Sequence, residues 1–231
     1  MQHATAILVF ARSVRAEQLH KKLDRPGEQA IHRFLYQQTL NCVKASGIPF
    51  YLIDESRQKG NTFGERFNNA FRMIFDLGYT HVIAIGSDCP QRTTKDLLYS
   101  RQLVEQDIAC LGPDTHGGAY LIGLSKQVYE TGILAMIRWG TSQVLTQLIH
   151  LLCLSNTAYK EISAYADINV AGDLLNVLGN RSVTHSLRQL LQKLLSRFRR
   201  YISFPKTCFF PSYYLQQCLF RGPPALTSST L

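Results

Sequence analysis

Asp88 lies in Gly86-Ser87-Asp88-Cys89-Pro90, directly after the clearest buried-strand signal of the chain, His81-Val82-Ile83-Ala84-Ile85. A carboxylate at the end of a buried strand points into the crevice that strand ends form. It suits a hard cation such as Mg²⁺ or Mn²⁺ bridged to substrate phosphates, with Gly86 and Ser87 on the substrate side. The same acid would also serve as a turn or helix cap. A second candidate is Gly112-Pro113-Asp114-Thr115-His116-Gly117-Gly118. Its paired glycines permit close backbone approach and leave N–H groups for oxyanions, while Asp114 and His116 offer metal-ligand or acid–base atoms. A glycine-rich hairpin turn is the other reading. Asp167, in Tyr165-Ala166-Asp167-Ile168-Asn169, would complete a metal site with Asp88 or cap a helix, a role for which Asn169 competes. Arg12, Arg15, Lys21 and Lys22 would neutralise a polyphosphate or form a solvated basic face.

These residues need elements to hold them. The apolar runs at 6–10, 50–53, 81–86, 107–112 and 119–124 read as strands. Helical periodicity fills 28–44 and the second half of 60–77. Further helices follow Thr93 or Thr94 as cap, and at 127–136, 142–152 and 173–178. Strands alternating with helices predict an α/β domain, a three-layer, mostly parallel sheet that binds ligands outside the carboxyl ends of its strands. The segments after Phe10, Ile85 and Leu111 are therefore the informative ones.

Several classes fall away. The chain contains no G-x-x-x-x-G-K-[ST], G-x-G-x-x-G or G-x-S-x-G, which argues against P-loop, dinucleotide and hydrolase-elbow chemistry. None of the six cysteines makes a C-x-x-C pair or joins a zinc-spaced set, as in a chain from a reducing compartment. No apolar run reaches eighteen residues and no secretory leader is recognisable, so the expected location is cytoplasmic. The net charge of +9 is concentrated at the end: residues 181–231 hold eight basic side chains and no acid. The chain thus divides into a domain over 1–180 and a basic extension over 181–231. Within the extension, 186–202 carries leucines at helical spacing between Arg and Lys. That helix would lie on an anionic membrane, pack on its own domain, or pair two copies as a homodimer. No nucleic-acid-binding module accompanies it.

Taken together, Phe63-Gly64-Glu65-Arg66-Phe67-Asn68-Asn69-Ala70-Phe71, the run His81–Pro90, Gly112-Pro113 with Gly117–Leu124, Arg138-Trp139-Gly140-Thr141, and Asp167-Ile168-Asn169 with Asp173-Leu174 resemble a glycosyltransferase-like family. That family is related to phospholactate guanylyltransferases and molybdopterin-cofactor nucleotidyltransferases. The resemblance spans roughly residues 4–178 and implies the nucleotide-diphospho-sugar transferase (GT-A) fold. It implies a divalent metal, Mg²⁺ or Mn²⁺, at Asp88 with Asp167 and Asp114. It also implies a nucleotide or nucleotide-sugar held by the first loop (Arg12, Lys21, Lys22), by Gly86, Ser87, Gly117 and Gly118, and by Thr141. The implied activity is metal-dependent transfer from a nucleotide-diphospho-sugar, with Asp88 and Asp167 catalytic. Nucleotidyl transfer and non-catalytic ligand binding on the same fold are the alternatives. The chain departs from the family twice. Its first loop keeps only the basic end of a Pro/Gly then Lys-Thr-Arg-Leu pattern, and His116 replaces an Asp before the glycine pair. Imidazole is a poor Mg²⁺ ligand but suits softer ions.

Overall fold

The computed structural model describes residues 4–16 and 28–168, together with Arg188, Gln189 and Gln192, which are helical. Lys21, Lys22, the helix expected at 173–178 and the rest of the basic extension lie outside the described residues. Six strands, β1 (Thr5–Phe10), β2 (Phe50–Ile53), β3 (His81–Ile85), β4 (Ala109–Pro113), β5 (Ala119–Ser125) and β6 (Tyr159–Glu161), form one sheet in the order β2-β1-β3-β5-β4-β6. β1 pairs in parallel with β2 and β3, and β4 with β6, while β5 runs antiparallel to both of its neighbours. The sheet is thus mostly parallel, as expected. β5 turns back because only residues 114–118 join it to β4, far too few for a parallel crossover.

Alternation along the buried strands feeds two cores. Ala6, Leu8, Val82, Ala84, Leu111, Ile122 and Leu124 face α2 (Phe63–Asp76) and α5 (Val144–Leu154). Ile7, Val9, Ile83, Ile85, Cys110 and Leu121 face α1 (Glu28–Ser46) and α3 (Thr94–Val104). The result is the three-layer arrangement expected of strands buried on both faces. α2 forms because Phe67, Ala70, Phe71, Ile74 and Phe75 fall on one stripe and are all buried. Its start is set by a capping box between Thr62 and Glu65; a second box between Thr93 and Asp96 starts α3.

Three local expectations change. The helix expected at 127–136 is split into α4 (Lys126–Glu130) and a 3₁₀ turn (Ile133–Ala135), because Gly132 takes a left-handed conformation, φ 78°, between them. The fourth strand begins at Ala109 rather than 107, since Asp107 has φ 57° and turns the chain. β6 carries no apolar run and was not expected; its Lys160 and Glu161 are exposed, as on an edge strand. No helix among the described residues is long and apolar enough to cross a membrane.

Candidate active site

The parallel strands β1, β3 and β4 end on one edge of the sheet, and the loops that follow them carry Arg12, Asp88 and Asp114. The segment after β6 crosses that edge as a strap. Ile162 N–H donates to the Leu111 carbonyl, Tyr165 N–H to Pro113, and Ile168 N–H to Asp88, at 2.9, 3.1 and 2.9 Å. Ala166 N–H donates to the Gln91 side chain at 2.8 Å, and the Tyr120 hydroxyl to the Ser163 carbonyl at 2.8 Å. Burial pushes the Tyr120 phenol upward, so it remains a donor. These bonds pin Asp167 between two anchored residues, Tyr165 and Ile168, directly over the crevice.

A donor cluster results. Ligand atoms of Asp114, His116 and Asp167 all lie within 4.8 Å of one another. His116 Nδ1 is 3.1 Å from Asp167 Oδ1, and Asp167 is the more enclosed of the two, with a side chain 14% exposed against 55%. Asp114 also organises its own loop. Its Oδ1 accepts the N–H groups of His116 and Gly118 at 2.6 and 2.8 Å, an Asx-type turn. Its Oδ2 stands where a Cβ on Gly118 would fall, 2.2 Å away, so only glycine fits there. Gly117, at φ 85°, presses equally closely on the Ser142 carbonyl and accepts the Leu145 N–H. The loop is the β4–β5 hairpin turn, and it carries two of the three clustered donors.

Asp88, Asp114 and Asp167 line one crevice of about 180 Å³ with Phe10, Phe63, Tyr120 and Trp139. Asp88 is not one of the three mutually close donors; it stands in the adjoining wall, and the cluster is centred on Asp114, His116 and Asp167. A neighbouring pocket of about 200 Å³ joins Arg12, Gln58 and Arg66 to Gly86, Ser87 and Asp88. Of the expected phosphate-side groups, Arg12, Gly86 and Ser87 thus gather beside Asp88. Thr141 does not line these pockets: its hydroxyl donates to the Arg138 carbonyl at 2.9 Å and closes a turn.

Four contributors had no site role in the sequence analysis. Arg66 reaches the pocket from α2, one residue after Glu65 of the capping box. Phe63 and Trp139 form the aromatic wall, their ring centroids 5.3 Å apart. Trp139 Cδ1 would meet a Cβ on Gly64 at 2.5 Å, which explains why a glycine sits there. Arg92, 4% exposed, donates to the Gly86 carbonyl and to Thr39 Oγ1, both at 2.9 Å, and so braces the Asp88 loop from behind. Cys89, next to Asp88, is buried. Burial raises its thiol to about 12, against smaller opposing effects led by Arg92.

A family described as an uncharacterized protein conserved in bacteria (DUF2064) matches residues 52–141. That segment holds Phe63, Asp88, Asp114, His116 and Trp139 but ends before Asp167. No curated protein matches the chain. Among solved structures, a Desulfovibrio desulfuricans G20 protein provisionally assigned as a nucleotide-diphospho-sugar transferase is 20% identical, with TM-score 0.72, covering 86% of this chain and 98% of its own. Rv0371c from Mycobacterium tuberculosis H37Rv is 15% identical, with TM-score 0.52, covering 78% and 100%. The fold is therefore that of the nucleotide-diphospho-sugar transferases.

Proposed function

We propose that the chain is a metal-dependent transferase that takes a nucleotide-diphospho-sugar as donor and passes its sugar to an acceptor hydroxyl. The observation that carries this reading is the convergence of Asp114, His116 and Asp167 within 4.8 Å, beside Asp88, at the carboxyl edge of this fold. The residues fit a divalent ion. Two carboxylates and an imidazole form a mixed oxygen and nitrogen donor set, better matched to Mn²⁺ or another d-block ion than to Mg²⁺. Such an ion would supply positive charge against a diphosphate.

The chain's own groups then divide the work. Arg12 and Arg66 present guanidinium groups to the phosphates on the far side of Asp88. Phe10, Phe63, Tyr120 and Trp139 keep the crevice poor in water, which strengthens every charge interaction within it. In glycosyl transfer the acceptor oxygen bonds to the anomeric carbon, and the bond from that carbon to the diphosphate breaks. The electron pair leaves with the nucleoside diphosphate, and the hydroxyl proton passes to water or a crevice carboxylate.

A thermal-shift panel of UDP-, GDP- and CDP-sugars, with and without Mn²⁺, tests this. Ligand at a hundredfold excess over Kd stabilises by about 2.7 kcal/mol, a rise of about 5–10 °C for a domain of this size. The Mn²⁺-dependent rise should vanish in Asp167→Asn and fall in Asp88→Ala. If it persists unchanged in both, the assignment fails. Product analysis then separates the chemistries, because nucleotidyl transfer, the alternative, releases pyrophosphate rather than a nucleoside diphosphate.

A further inference from the structure

A second cavity adjoins the crevice. It encloses about 380 Å³ and is walled by Thr62, Phe63, Glu65 and Asn68 from the start of α2, and by Leu134 and Trp139 from the segment after α4. Phe63 and Trp139 also wall the crevice that holds Asp88, Asp114 and Asp167. Phe63 alone is common to this cavity and the arginine-lined pocket. The three spaces therefore follow one another: arginine pocket, acid crevice, aromatic cavity.

Their chemistry differs in sign. The first offers Arg12 and Arg66. The last offers Glu65 and no cation among its lining residues, so a phosphate would be repelled there. Its polar groups have spare capacity. Glu65 Oε2 accepts the N–H groups of Asn61 and Thr62, at 2.7 and 3.4 Å, to close the cap; Oε1 makes no hydrogen bond among the described residues. The Asn68 side-chain amide has no partner among the described residues either, although its main-chain carbonyl accepts the Tyr129 hydroxyl. Trp139 is held at its Nε1 by the Leu134 carbonyl at 3.0 Å, which orients the indole as a wall. Phe63 is 43% exposed at the boundary between the spaces. A few convergent polar groups beside aromatic walls are what an oriented binding site needs. A carboxylate oxygen accepts hydroxyl protons, and an amide both donates and accepts.

We propose that this cavity is the acceptor subsite, and that it takes a neutral, hydroxyl-bearing ring rather than a phosphorylated one. Its identity as the acceptor side rests on the transferase reading. The cavity's preference for a neutral ring is tested separately from it.

The chain's only tryptophan is Trp139, so intrinsic emission reports occupancy without a label. The full chain is titrated with N-acetylglucosamine, mannose and myo-inositol, and with mannose 6-phosphate as charged counterpart, each with and without UDP or GDP plus Mn²⁺. At least one neutral ring should shift the Trp139 emission saturably, and mannose 6-phosphate should bind no more tightly than mannose. Asn68→Leu should weaken the neutral ring at least tenfold while leaving the far-ultraviolet circular dichroism and the nucleotide-induced thermal shift unchanged. Glu65→Gln preserves the cap, since glutamine also closes a capping box, and should narrow the gap between mannose and mannose 6-phosphate. Emission that responds to no neutral ring overturns the proposal. So does a response indifferent to Asn68→Leu, or tighter binding of the phosphorylated sugar. Ring binding at the cavity without any Mn²⁺-dependent nucleotide shift would leave the pocket in place and sink the transferase reading instead.

Discussion

Gly64→Ala separates packing from propensity by the sign of its effect. Gly64 is the second residue of α2. Helix propensity and reduced freedom of the unfolded chain both favour alanine there, together by up to about 1 kcal/mol. The structure says the opposite. An added Cβ would lie 2.5 Å from Trp139 Cδ1 and 3.0 Å from Nε1, roughly 1 Å inside an ordinary carbon–carbon contact. The indole cannot swing away freely. Its Nε1 donates to the Leu134 carbonyl, and its ring meets Phe63 and Phe67 with centroids 5.3 and 5.0 Å away. Overpacking of this kind costs about 1–3 kcal/mol, so the net effect is a loss of about 0–2 kcal/mol, or up to about 8 °C in Tm. Urea unfolding followed by circular dichroism measures the loss, and a change in the Trp139 emission maximum should accompany it. In a Trp139→Ala background the obstacle is gone, and Gly64→Ala should become neutral or stabilising. If Gly64→Ala stabilises the otherwise unaltered chain, the close approach of α2 to Trp139 is wrong, and with it the wall shared by the crevice and the aromatic cavity.

The remaining predictions concern accessibility and pH. At pH 7.5, with its thiol raised to about 12 by burial, Cys89 holds a thiolate fraction of roughly one in 10⁴ or less; burial also raises Cys110, to about 11, whereas Cys153 is exposed. Brief alkylation with mapping by mass spectrometry should therefore modify Cys153 and spare Cys89 and Cys110 in the folded chain; rapid labelling of Cys89 would contradict the packing behind Asp88. The Ser13 hydroxyl and N–H hold the Glu55 carboxyl below its usual range and tie the first loop to the end of β2. Because the folded value is the lower one, this stabilisation is complete above the ordinary carboxylate pKa and disappears as pH falls through the folded value. Glu55→Gln should thus flatten the acid side of the stability profile, by about 0.5 kcal/mol or less since the group is exposed, and equal urea midpoints at every pH would refute the tether.

What was legible in the sequence was what depends on neighbours along the chain. The runs that became β1, β2, β3 and β5 are continuous and apolar, and all but β2 are largely buried, so their length and composition sufficed. Thr93 announced α3 because a cap acts within three residues. β6 was not legible, because an edge strand of three residues with exposed Lys160 and Glu161 has no apolar signature. The parallel pairing of β6 with β4 aims the strap across the sheet edge, and without it nothing says that Asp167 returns to Asp114, more than fifty residues earlier.

The same reasoning shifts the weight of the site. Asp88 was the conspicuous acid because it follows the strongest strand, yet the mutually close donors are Asp114, His116 and Asp167. His116, where the family that the sequence resembles usually carries Asp, looked from sequence like the loss of a ligand. In space, Asp114 Oδ1 is already committed to the turn. The imidazole Nδ1 stands 3.1 Å from Asp167 Oδ1, within hydrogen-bond reach. A cation held there would take both an imidazole nitrogen and a carboxylate oxygen as ligands. A change that weakens the site for Mg²⁺ therefore need not weaken it for Mn²⁺ or a similar ion, and the order of the two in raising the unfolding temperature of the full chain is the measurement that distinguishes an altered centre from a lost one.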